Sequence, residues 1–490
     1  MSLSVSRALA LATCFAASSL AASVVEWQER SIYQVLTDRF ALEGGGTARC
    51  VTDDRKYCGG TYRGIIDKLD YIQNLGFDAI WISPIVANVG GFTTYGEAYH
   101  GYWAQDIYKL NSHFGSADDL VALSNALHAR DMYLMVDVVV NHFGPANSSA
   151  SFESFNPFNK PSYFHPRCLI TNYNNQTDVE QCWLGDDKVA LADVNTENLW
   201  IVTTLNRWIA SLVKDYRIDG IRIDTVKHVR KDFWPLFAAA SGIYTVGEVF
   251  HSNTAYVADY TYVLDGVLDY PTWYQLFPAF QTSTGNLSAL AEVILKAQRS
   301  YKTGLFGSGV FSENHDQPRF ASLTTDTARI KNVIAFPFIH DGIPILYYGQ
   351  EQGYTGGNDP ANREALWLSG YVEEKEFVDH VKTLNAARKA AIATCAEYLV
   401  TPMEFPEVTA TTLAVYKHPL LALFTNVGSH GTTSWDVQGT DYAPGTELLE
   451  VFSCSKVYVD STGGLTALST SGQPQLYIPA SAPFEHCKNR

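Results

Sequence analysis

The sequence predicts a closed (β/α)8 barrel with a small domain inserted after its third strand and an antiparallel β-sandwich domain at its C-terminus. Three observations predict it. Eight strand-like runs are each followed by a helix-like stretch, the pattern of parallel strands joined by right-handed crossovers. The alternation breaks between His142 and Asp193, in a stretch rich in Asn, Ser, Phe and Tyr. Beyond about Val400 it gives way to short β-like runs among Gly, Ser, Thr and Asp, the texture of a small antiparallel domain.

In chain order the leader comes first. Arg7 followed by "ALALATCFAASSLAAS" reads as a secretory signal peptide over residues 1–22. Its apolar run is short for a membrane span, no later run reaches membrane length, and the polar end "SAPFEHCKNR" carries no lipid-anchor tail. The barrel is expected over 23–141 and 195–399. Its strands are "SIYQVLTDRF", "FDAIWISPI", "YLMVDVVVNH", "DGIRIDTV", "YTVGEVF", "YVLDGVLDY", "GVFSENHD" and "PILYYGQE". The clearest helix runs from Leu199 to Tyr216, where Leu205, Trp208, Ile209, Leu212, Val213 and Tyr216 mark one face and Asn195 or Thr196 is the expected N-cap. The inserted domain takes 142–194; a connection that long in a compact domain is usually functional. The C-terminal domain takes 400–490.

Composition narrows the function. Residues are 46% hydrophobic and 18% charged, as in a globular protein, and aromatics reach 13%. Large cores account for many of those rings, and a cleft lined with flat faces would use the same residues. The net charge of −16 argues against nucleic acid as a partner. Once Cys14 leaves with the leader, spacing suggests bridges Cys50–Cys58, Cys168–Cys182 and Cys454–Cys487, as in an oxidising compartment. Cys395 is left over and reads as a buried free thiol. Asn147, Asn175 and Asn286 head N-glycosylation sequons. A free, secreted monomer is expected.

The charges gather at strand ends, where a barrel does its chemistry. The third strand ends with Asp137, Asn141 and His142, and the fourth with Arg222, Asp224, Lys227 and His228. The fifth supplies Glu248, and the seventh Glu313, Asn314, His315 and Asp316. One such acid could be a helix cap or half of a salt bridge, but so many around one mouth need partners, because unpaired buried charge is costly. A divalent cation is one answer. Cleavage of a glycosidic bond is another, since it takes one carboxylate as nucleophile and one carboxylic acid to protonate the leaving oxygen. Arg222 and Asp224, two residues apart, leave the same strand face. The guanidinium suits Asp224 to the ionised role, and Glu248, with no cation adjacent in sequence, suits the protonated one.

The segments "DVVVNH" (137–142), "GIRIDTVKH" (220–228), "GEVF" (247–250) and "FSENHD" (311–316) resemble, in order and position, the four signature segments of the α-amylase family of glycoside hydrolases. Flanking stretches such as "GYWAQDIY", "KHVRKDFWP" and "GQEQGYTGGNDPANREALWLSGY" extend the resemblance over nearly the whole mature chain, toward the secreted fungal members. The resemblance implies an endo-acting, retaining hydrolase of α-1,4-glucosidic bonds in starch. Asp224 would be the nucleophile, Glu248 the acid/base and Asp316 the third acid, on sugar hydroxyls. Arg222 would orient Asp224, and His142 and His315 would bond the sugar being cleaved. Tyr102 would stack on that sugar. Lys227 and His228 would line the leaving-group side, and Asp359 and Arg363 would contact sugars on the non-reducing side. It also implies a structural Ca2+ held by Asn141, Glu180, Asp193 and the main-chain carbonyl of His228, with Asp137 as support for the catalytic site. A retaining mechanism sets the two catalytic carboxyls about 5–5.5 Å apart.

This chain departs from the fungal pattern in two places. A further disulfide expected between "YVADYTY" and "AQRSYKTG" has no cysteines, and His251 stands where an acid is usual. Two other functions fit the motifs. A glucanotransferase would use the same covalent intermediate, with a sugar hydroxyl in place of water. A non-catalytic glucan-binding protein would be expected to lack one of the acids, and all are present.

Overall fold

The computed structural model describes residues 22–144 and 151–489. The leader, but for Ala22, and the sequon at Asn147 lie outside the described residues. Eight short strands build the central sheet: β1 (Ile32–Val35), β2 (Ala79–Ile82), β3 (Tyr133–Val138), β4 (Gly220–Ile223), β5 (Tyr244–Gly247), β6 (Gly266–Val267), β7 (Gly309–Phe311) and β8 (Ile343–Tyr347). Their order is β6-β5-β4-β3-β2-β1-β8-β7, every pairing parallel. A parallel bridge between Leu268 and Gly309 closes the ring, with the Asp269 N–H donating to the Gly309 carbonyl at 2.9 Å. The expected barrel is therefore present. β6 is much shorter than its sequence run, because the chain before it coils into a 3-10 turn at Asp259–Tyr262.

The barrel floor is closed by an element that periodicity alone does not announce. Ser23 and Glu26 form a capping box that starts a short helix, Val24–Gln28. Its Trp27 stacks on Tyr244 at 5.2 Å and donates from Nε1 to the Asp219 carbonyl at 3.1 Å. Gly220 opens β4 directly against that indole; a Cβ there would stand 2.6 Å from the ring.

The helix Leu199–Tyr216 has the expected bounds and a different cap. Asn198, not Asn195 or Thr196, accepts from the Trp200 N–H. Asn195 is spent on the preceding turn, where its side chain accepts from Glu197 N–H. Ile201 and Val202 join the buried face, while Val213 and Tyr216 sit half-buried at its edge.

The inserted stretch folds as a three-stranded sheet, His142–Phe143, Leu184–Gly185 and Ala190–Asp193, with one short helix, Gln176–Gln181. Phe143, Phe155, Phe164 and Trp183 pack into the main core. After the barrel, a six-stranded antiparallel sheet faces a two-stranded one formed by Thr433–Val437 and Leu465–Ser469. The bridges Cys50–Cys58, Cys168–Cys182 and Cys454–Cys487 are all formed. Cys395 is free, as expected, but half-buried rather than buried, with its thiol 3.3 Å from Glu397. No helix among the described residues is long and apolar enough to cross a membrane.

Candidate active site

Strand alternation sets the site. In β4, Ile221 and Ile223 point outward into the helix layer with no exposure, and Arg222 points into the barrel. One guanidinium then gathers three carboxyl groups. Nη1 lies 2.8 Å from Asp224 Oδ1 and 3.0 Å from Asp137 Oδ1, and Nη2 lies 3.3 Å from Glu248 Oε2. Asp137 also accepts from Tyr102 Oη at 2.7 Å and Trp81 Nε1 at 3.2 Å. It is fully engaged below the mouth, a supporting position.

Beyond β4 the backbone turns sharply. Thr225 takes φ 50°, a left-handed conformation that is uncommon for a β-branched residue. The turn aims the Thr225 N–H at Glu248 Oε2, 2.9 Å away, and its hydroxyl at Asp224 Oδ2, 3.0 Å away. Burial pushes the Glu248 acid up to about 7; Arg222 opposes the rise, and Asp224 and Asp316 add to it. The Tyr270 hydroxyl stands 3.5 Å from Glu248 Oε1 and accepts from Asn314 Nδ2 at 2.9 Å. Asp316 is exposed at the rim, 3.3 Å from His315 Nε2 and 3.4 Å from Arg363.

The remaining predicted residues ring this centre. His315 lies parallel to Tyr102, 5.2 Å between centroids, with Gln34 on its Nδ1 at 2.9 Å. His142 reaches the Tyr102 carbonyl at 3.1 Å. Arg363 pairs with Asp359 at 2.9 Å, and Arg55 holds the other Asp359 oxygen at 3.1 Å. Lys227 donates to the Phe250 carbonyl at 2.8 Å and lies between the Tyr173 and Phe250 rings. Glu313, grouped by sequence with the mouth acids, is not one of them. It is buried with Arg319 at 3.2 Å and the Phe320 N–H at 2.9 Å. His251 is turned onto Tyr256, 4.4 Å away, and accepts from Asn253 N–H. Arg55, Thr225 and Tyr270 escaped sequence reasoning. Only Thr225 carried a signal, its place between Asp224 and Lys227 just past a strand end.

The expected calcium ligands can be tested on donor chemistry. The Asn141 amide end lies 2.9 Å from the His228 carbonyl oxygen and 3.0 Å from Asp193 Oδ1. Turned nitrogen-inward it donates to both; turned oxygen-inward it completes a set of three hard oxygens. Burial pushes Asp193 up to about 7 against the opposing pull of His165, and raises Glu180 against that of Gln176. The other Asp193 oxygen is oriented by His165 at 2.5 Å. Glu180 accepts from Gln176, which also donates to the Lys227 carbonyl, one residue from His228. Among the described residues no group of three or more acid, His or Cys side chains is arranged to hold a metal ion by itself. The set is mixed, amide, carboxylate and carbonyl, which suits Ca2+ and no softer ion.

Comparison with known proteins covers almost the whole chain. Residues 34–391 match the alpha amylase catalytic domain, and residues 408–485 match alpha-amylase domain C. Alpha-amylase 2 of Schwanniomyces occidentalis is 46% identical over 487 residues, 98% of this chain and 95% of that protein. The alpha-amylase of Saccharomycopsis fibuligera is 44% identical over 465 residues, 94% of each. The structure of an alpha-amylase from Malbranchea cinnamomea superposes with a TM-score of 0.92 at 46% identity, covering 95% of this chain and 100% of that one.

Proposed function

The chain belongs to the alpha-amylase family, and from that premise we propose that it is an endo-acting, retaining hydrolase of α-1,4-glucosidic bonds in starch and related glucans. One observation carries the assignment of roles: a single buried guanidinium touches both Asp224 and Glu248, while burial holds Glu248 protonated up to about 7. Asp224 attacks the anomeric carbon, forming the glycosyl–enzyme bond as the glycosidic C–O bond breaks. Glu248 gives its proton to the leaving oxygen, then takes one from the water that releases the sugar. Asp316, at the rim, holds sugar hydroxyls, and His142 and His315 bond the sugar being cleaved beside Tyr102. Lys227 and His228 line the leaving-group side. Asp359 and Arg363 extend contacts to the non-reducing side.

Asn141, Glu180, Asp193 and the His228 carbonyl would hold the calcium ion. Its chemistry there is structural: it neutralises two carboxylates and ties the inserted sheet to β3 and to the turn after β4. The same reading divides the chain at 142, 195 and 400 and treats the protein as a monomer that is secreted; the disulfides support secretion.

Asp224→Asn should abolish turnover on soluble starch while maltooligosaccharides still bind. Glu248→Gln should lower kcat by roughly 10²–10⁴-fold. Near-normal activity in either variant would refute the roles given. A transfer reaction shares the intermediate, and the pocket of about 400 Å3 beside Glu248 would seat its acceptor where hydrolysis seats the leaving sugar. Tyr173, Leu184 and Phe250 give an acceptor sugar apolar walls there. Products longer than the starting maltooligosaccharide would reveal transfer.

A further inference from the structure

Away from the catalytic mouth, the outer face of the helix Leu199–Tyr216 carries polar and aromatic residues that the reaction does not use. Trp200, Thr204, Arg207, Ser211 and Asp215 recur every three or four positions, so they form one stripe. It is roughly 22 Å long at 1.5 Å of rise per residue. Its ends are aromatic. Trp200 is 48% exposed and is braced on Tyr163, near-parallel at 4.9 Å, and on the edge of Phe158. At the other end Arg207, Ser211 and Asp215 line a pocket of about 180 Å3 with Tyr108 and Tyr216. Tyr108 is 57% exposed, and its backbone N–H is tied to Asp106 at 3.0 Å.

Single exposed aromatics need no explanation. Here a braced indole and an exposed phenol stand along one polar stripe, and the phenol walls a concavity far larger than the ~30 Å3 of a water molecule. Arg207 and Asp215 both face this concavity. Flat apolar faces, hydroxyl-sized donors and acceptors, and charges of both signs (Arg207 and Asp215, with Lys109 paired to Asp106) suit a long neutral polyol. They do not suit a polyanion or an aliphatic protein surface. The helix begins at the end of the barrel that carries the catalytic mouth, and its first turn abuts the inserted segment through Tyr163.

We propose that this stripe is a second glucan-binding surface, which holds a chain of the polymeric substrate outside the cleft. The proposal rests on the glucan-hydrolase reading. Trp200 and Tyr108 stack on sugar faces, and Arg207, Ser211 and Asp215 bond hydroxyls between them.

The test uses the full-length protein, the double variant Trp200→Ala/Tyr108→Ala, Arg207→Ala and Glu248→Gln. Each is run on native gels containing soluble starch and assayed on both starch and a short maltooligosaccharide. The double variant should lose starch affinity by about tenfold and raise KM on starch, with kcat and KM on the short substrate unchanged. Arg207→Ala should do the same more weakly. Glu248→Gln should keep only the residual activity expected above and still be retarded by starch. A double variant retarded like its parent, or a parent not retarded at all, would overturn the surface site with the hydrolase reading intact. Near-normal activity in Glu248→Gln would overturn the hydrolase reading instead.

Discussion

Thr225 shows how much of the site hangs on one backbone angle. Its left-handed conformation brings an N–H to Glu248 and a hydroxyl to Asp224, a cost in strain that only the surrounding structure can sustain. In its proposed role Glu248 must carry a proton, so kcat/KM should fall along an alkaline limb centred at about 7. Asp316 is one of the charges that raise it, and Asp316→Asn should therefore move the limb of the residual activity to lower pH. An unmoved limb would mean that another group sets it. Stability follows the same sign. A carboxyl whose folded value is raised stabilises the fold fully below its unfolded value, and that stabilisation is lost as pH rises through about 7. Glu248, Asp137 and Glu313 all lie in that class. The pairing of Arg222 with Asp224 was legible because strand side chains repeat every two residues. Arg55 and Tyr270 were not, because each arrives from a distant segment and nothing local marks it.

Among the elements, β4 is where sequence and structure agree most closely, and its first residue carries the tightest constraint. Alternation placed the isoleucines outside and the charges inside, but nothing in the pattern foretold that Trp27 would stand against Gly220. Gly220→Ala puts a Cβ 2.6 Å from the indole. Overpacking of that kind costs about 1–3 kcal/mol, read as a lower denaturation midpoint in urea. Trp27→Ala should relieve it, making the double variant less unstable than the two single losses combined. The inserted segment was legible as an interruption, not as a sheet. Its strands are two to four residues long, and its aromatics pack inward in no regular period. The proposed calcium ion would bear on this element. Chelation should lower the melting temperature, and added Ca2+ should restore it. Asp193→Asn should melt low and respond little to either. An equal response in the variant would remove Asp193 from the ligand set.

At the scale of the whole molecule, the C-terminal sheet is apolar on both faces for a reason that its alternation discloses only once the barrel is in view. Leu413, Val415, Leu420, Ala422 and Phe424 pack with the barrel core, while Ala414, Tyr416, Leu421 and Leu423 pack with Trp435 and Val437 of the small sheet. The sandwich is thus built on the barrel's own helix layer. Buried polar ties cross the same seam. Asn332, inside the helix Thr327–Ile339, accepts from Thr425 N–H at 2.9 Å and donates to the Gly472 carbonyl at 2.9 Å. Lys417 pairs with Asp341 at 2.7 Å with both side chains buried. Surfaces so merged should not come apart separately. Calorimetry on the calcium-loaded protein should give one endotherm, with activity lost in the same interval. Asn332→Ala leaves two buried backbone groups without partners, at about 1–3 kcal/mol each. It should move that endotherm down in temperature without splitting it. Two resolved transitions, in the parent or in the variant, would show that the sandwich melts on its own and that the shared core does not couple it to the barrel.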